Sequence, residues 1–109
     1  MPSGPPSTFN RKGKDIMLIS KTVNKAINQQ IGNELGAFLQ YVSIASYFAN
    51  EGLLELSAFF YKQADEEREH GMRFVRYVVD CGGRVEIPAI AAPKNAFTNV
   101  VDAVDLSLK

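Results

Sequence analysis

An all-α fold, an antiparallel helical hairpin followed by the start of a third helix, is predicted by three observations. Two stretches of the 109-residue chain, about 20–49 and 53–80, are free of proline and carry apolar residues at spacings that alternate between three and four. Only Asn50, Glu51 and Gly52 separate them, which makes the two helices antiparallel neighbours. Beyond Cys81, Gly82 and Gly83, a segment with Pro88 and Pro93 leads to a last amphipathic run.

Ser20 is the expected N-cap of the first helix. Its seam steps through Ile27, Ile31, Glu34, Phe38, Tyr41, Ala45 and Phe48, all on one face. Gly32 and Gly36 flank Glu34 and would weaken the helix there. Their missing side chains could let a neighbouring helix approach closely; the alternative is simple tolerance of glycine in a well-packed helix. Leu53 or Leu54 opens the second helix, whose seam runs Leu53, Leu56, Phe60, Gln63, Glu67, His70, Phe74, Tyr77 and Cys81. Residues 84–96 read as an extended crossing segment. Thr98 or Asn99 then caps a third helix over 98–109, with Val100, Val101, Val104, Leu106 and Leu108 as its apolar members. Residues 1–16, rich in proline and glycine before Arg11, Lys12 and Lys14, read as a flexible tail, either an upstream extension or an appended remnant. The remaining residues, 17–109, form one partial domain. A hairpin and a short third helix cannot cover their own apolar seams, so self-association or further sequence is expected.

Composition narrows the function. Twelve basic and twelve acidic residues leave no net charge, which argues against a nucleic-acid surface or attraction to anionic membranes. No apolar run approaches the ~20 residues of a membrane-spanning helix. Cys81 is the one cysteine, so no internal disulfide can form, and a cytoplasmic location is the default expectation.

Three polar positions interrupt the seams. Glu34 lies 18 residues before Gly52, and Glu67 and His70 lie 15 and 18 residues after it, so the three reach similar depth in the hairpin. Burying an ionised carboxylate in an apolar stripe is costly unless it is paired or binds a metal. Glu67 and His70, three apart, occupy adjacent turns of one face and can reach one ion. Two glutamates and a histidine, with open positions, suit iron or manganese better than a structural zinc site. Taken alone, Glu-x-x-His also occurs on solvated helix faces. Its place in the seam, opposite Glu34, favours half of a carboxylate-bridged metal site.

The residues Asn33-Glu34-Leu35 with Tyr41, then Asp65-Glu66-Glu67-Arg68-Glu69-His70-Gly71, then Ile87-Pro88 and Ala92-Pro93, carry a resemblance to bacterial non-haem ferritins over about 17–109. The 33-residue separation of Glu34 and Glu67 is that of the bacterial type. The general arrangement of helical glutamates and Glu-x-x-His motifs is the known plan of ferritin-like bundles. The resemblance implies a ferritin-like four-helix bundle, represented here up to the start of its third helix. It further implies a di-iron centre in which Glu34 and His70 are terminal ligands of one iron and Glu67 bridges to a second. Tyr41 would stand behind the ligands, able to hydrogen-bond a carboxylate or supply an electron; as a core aromatic it needs neither role. Glu66 matches a residue that binds an additional iron, or else is a solvated acid. Asp65, Arg68 and Glu69 face away as surface charges. Arg68 stands where bacterioferritins carry a haem-binding methionine, so no haem is expected, and no Cys-x-x-Cys marks a rubrerythrin. The family's next ligand, a glutamate of the third helix, would fall just past Lys109, and neither Asp102 nor Asp105 takes its place.

The implied function is iron storage with ferroxidase activity: Fe(II) is oxidised by oxygen or peroxide at the dinuclear centre and stored in a homo-oligomeric cage. Two other readings stand beside it. One is a two-helix protein resembling encapsulated ferritins, whose dimer completes the site with Glu34, Glu67 and His70 from each copy. The other is a non-catalytic hairpin that associates with other bundles through its seams.

Overall fold

The structure is a computed structural model that describes residues 18–108; the tail expected over 1–16 lies outside the described residues. Three helices and no strand occur among them: α1 (Lys21–Asn50), α2 (Leu54–Asp80) and α3 (Val100–Ser107). The fold is all-α.

Ser20 caps α1 as expected, its hydroxyl accepting from the Val23 amide at 3.0 Å. The link to α2 is a tight turn in which the Leu53 amide donates to the Phe48 carbonyl at 2.9 Å. Gly52 sits there at φ 79, a conformation that side chains resist. Gly82, at φ 74, ends α2 in the same manner, with the Gly83 amide bonded to the Val78 carbonyl at 2.8 Å. Asn99, rather than Thr98, caps α3 by accepting from the Asp102 amide at 2.9 Å.

The two long helices pack along their length, and α3 rests against α1, giving an elongated slab of 54 × 25 × 17 Å. The contact face of α2 differs from its apolar seam. Ser57, Ala64, Gly71 and Val78, seven apart, are the buried positions, together with Phe60. Small side chains bring the helices close: a Cβ on Gly71 would meet Leu35 Cδ2 at 3.2 Å and Glu34 Cβ at 3.5 Å. Leu53, Leu56, His70 and Tyr77 of the seam are exposed, as expected of a hairpin that cannot cover its own seams, on a face that nothing among the described residues covers.

The crossing segment corrects one expectation. Gly32 and Gly36 make room for this segment and not for a helix: a Cβ on Gly32 would lie 2.5 Å from Pro88 Cγ, and one on Gly36 would touch Ile90. The segment runs beside α1 in the same direction, held by side-chain amides. Asn24 Oδ1 accepts from the Arg84 amide at 3.0 Å, and Asn28 Oδ1 from the Glu86 amide at 2.8 Å. Both Asn Nδ2 groups donate to the Arg84 carbonyl. Further on, Gln40 grips both the amide and the carbonyl of Lys94, at 2.8 and 2.9 Å, while Ser43 donates to that carbonyl at 2.7 Å. A backbone without regular partners thus has its polar groups satisfied by one stripe of α1. This strap delivers α3 onto Ile44, Ala45 and Phe48, which form the core with Phe60 and Ala103.

Candidate metal centre

Glu34 projects from the middle of α1 and Glu67 and His70 from successive turns of α2, where the small side of Gly71 brings the helices together. The expected convergence is present: one donor atom from each residue lies within 4.8 Å of the other two. His70 Nδ1 is 3.6 Å from Glu34 Oε1 and 3.5 Å from Glu67 Oε1. Two donors bound about 2.1 Å from one ion can stand up to about 4.2 Å apart, so both His70 pairs fit a shared cation. The side chains of Glu34, Glu67 and His70 are 16%, 24% and 49% exposed, so burial deepens from the open face towards α1.

The electrostatics are those of two carboxylates competing for one position. The hydrogen bond between them, the largest cause in each case, lowers the Glu34 pKa and raises that of Glu67. Burial opposes the first shift and adds to the second. Of the two, Glu67 is therefore the one that takes up a proton more readily, and a charged His70 would favour the ionised form of both. A divalent cation can neutralise both carboxylates, so metal binding competes with protonation of the pair.

The other sequence candidates are not in this cluster. Tyr41 packs against Phe60, ring centroids 5.9 Å apart, and lines an open cleft of about 390 Å³ with Leu56, Phe59, Gln63 and Val104. Glu66 is exposed and contributes no donor to the group of three. Glu69 is held by Arg76 at 3.0 Å and by Arg73 at 3.6 Å, which lowers its pKa, and Arg68 bonds Asp65 at 3.1 Å. Asp102 stabilises the start of α3, accepting from the Thr98 amide and from Lys94. Two neighbours of the site escape the sequence reading. Gln30 Nε2 donates to Glu34 Oε2 at 2.6 Å, and Gly71 sets the helix separation. Only the four-residue spacing of Gln30 and Glu34 hinted at the first, since glutamines on helices usually face water.

A model of the ferritin-like domain matches residues 24–109. The chain belongs to the ferritin-like domain family. Ferritin BfrB of Mycobacterium tuberculosis is 44% identical over 82 residues, covering 75% of this chain and 45% of that protein. A bacterial non-heme ferritin of Staphylococcus aureus is 34% identical over 91 residues, covering 84% of this chain and 55% of that protein. An Archaeoglobus fulgidus ferritin engineered to a closed form superposes with a TM-score of 0.76 at 33% identity, over 81% of this chain and 54% of that one. The chain spans about half the length of the curated relatives it matches. The ferritin-like fold expected from the sequence is thereby shown. No helix among the described residues is long and apolar enough to cross a membrane.

Proposed function

We propose that this ferritin-like chain serves iron storage, and that Glu34, Glu67 and His70 receive Fe(II) as the protein half of a di-iron ferroxidase centre. The observation that carries the reading is the convergence of these three donors at the one place where α1 and α2 approach across Gly71. Glu34 and His70 bind one iron as terminal ligands, and Glu67 bridges to a second. The second iron draws its other ligands from helices that cover the open face of the hairpin. The hard, more highly charged Fe(III) gains more from carboxylates than Fe(II) does, which favours oxidation.

In the reaction each iron gives up one electron. Two irons reduce dioxygen to hydrogen peroxide with uptake of two protons, or reduce hydrogen peroxide to water with two protons. Glu67 would reach the second iron with a carboxylate that already stands beside Glu34 and His70. Tyr41 and Glu66 are auxiliary in this reading: the phenol borders the cleft that Gln63, one turn before Glu67, also lines, and the exposed Glu66 carboxylate can take a further iron on the outside. No haem is required, and a cytoplasmic setting is consistent with the lone Cys81.

The open face also favours assembly. Leu56, Phe59 and Tyr77 are exposed beside the half-site, and two hairpins packed face to face would bring together two Glu34 side chains and two Glu67/His70 pairs. That donor set is the one found in ferritin-like bundles and designed di-iron proteins. Homo-oligomerisation is therefore part of the proposal, whether as this dimer or as a cage of complete bundles.

The test is aerobic oxidation of Fe(II), followed by ferric absorbance, with Glu67→Ala and His70→Ala as controls. The expected result is oxidation faster than in buffer and lost in both variants. A rate equal to that in buffer, or one unaffected by the substitutions, would overturn the reading.

A further inference from the structure

The two oxygens of Glu34 have different surroundings. Oε1 faces His70 Nδ1 at 3.6 Å, within the cluster of donors. Oε2 accepts the 2.6 Å hydrogen bond from Gln30 Nε2, one helical turn earlier. The amide cannot present its other end, because a carboxylate only accepts, and Gln30 Oε1 is itself occupied by a 3.2 Å hydrogen bond from Asn33 Nδ2. A short relay, Asn33 to Gln30 to Glu34, thus runs along the outside of the site on α1.

We infer that Gln30 is a positioning residue, holding Glu34 to one-oxygen ligation with Oε1 turned to the metal and Oε2 retained by the protein. This rests on the reading of Glu34 as a metal ligand. A hydrogen bond to a charged acceptor is about twice as strong as a neutral one, enough to bias a carboxylate that would otherwise chelate through both oxygens. The consequence for the reaction is an open position. Chelation by Glu34 would occupy two neighbouring sites on the iron, whereas one-oxygen ligation leaves one of them for oxidant or bridge. Partners of this kind orient a ligand and raise its affinity without touching the metal.

The test is titration of the full chain with Co(II) under anaerobic conditions, since its visible absorption reports coordination number and geometry. Gln30→Met keeps the length of the side chain and removes the donor. We expect affinity to fall by about 10–100-fold, with a changed visible spectrum and an unchanged unfolding midpoint of the metal-free protein. Asn33 is exposed, so Asn33→Ala leaves the fold intact and shifts the spectrum in the same direction by less. Parent-like spectra and affinities in both variants would overturn the role of Gln30 while leaving the metal site standing. Absence of Co(II) binding by the unmutated chain would overturn both.

Discussion

The two halves of the hairpin are built for different ends. Near the Gly52 turn, α3 and its strap close the structure, and Ile44, Ala45, Phe48 and Ala103 are wholly buried. In the middle, where Glu34, Glu67 and His70 meet, one face stays open and the most exposed donor, His70, is about half accessible. The closed end gains apolar burial and makes no chemical demand. The cluster gives up that burial for three polar groups, two of them carboxylates that repel each other when both are ionised. The apolar core and the candidate metal site thus occupy adjacent stretches of the same two helices.

Substitutions in the two regions should behave differently. Phe48→Ala, in the closed end, should cost about 3–5 kcal/mol, read as a shift of the urea unfolding curve. A loss well under this range would mean that α3 does not form a true core. Asn28→Ala should cost about 1–3 kcal/mol, because it strips hydrogen bonds from the Arg84 carbonyl and the Glu86 amide. Hydrogen exchange at Glu86 should then accelerate while amides around Phe48 stay protected.

Glu67→Gln belongs to the other region and should have the opposite character, abolishing iron binding without destabilising the metal-free protein. The sign follows from protonation. The raised Glu67 pKa means that its ionised form costs stability at neutral pH, a cost relieved as pH falls through the folded pKa towards the ordinary value. Unfolding measured at neutral and mildly acidic pH should show that relief in the parent and not in the variant. Asp102→Asn gives the smallest and converse effect. Hydrogen bonds from Thr98 and Lys94 lower the Asp102 pKa, so its contribution is present above the ordinary carboxylate pKa and fades as pH drops through the lowered one. This part-exposed carboxylate should make the parent slightly more acid-sensitive than the variant, seen in the helix content of α3 at low pH.

Much of this was legible in the sequence, because helical periodicity, the Gly52 turn and the register about it are local properties. They brought Glu34, Glu67 and His70 to one depth without reference to any structure. The contact face of α2 is not legible in the apolar pattern because it is made by Ser57, Ala64 and Gly71, whose smallness matters more than their hydropathy. The strap was recognised as extended, but its docking was not. Asn24, Asn28, Gln40 and Ser43 look like solvent-facing polar residues until an irregular backbone is laid along them. Gln30 was hidden for the same reason: a side-chain hydrogen bond has no periodicity.

The account turns on whether the open half of the hairpin holds iron. Native mass spectrometry of the protein loaded anaerobically with Fe(II), beside Glu67→Ala, reads subunit number and iron per subunit together. The prediction is a defined oligomer carrying iron that disappears when Glu67 is removed. Iron-free protein, or iron retained equally by the variant, would contradict it.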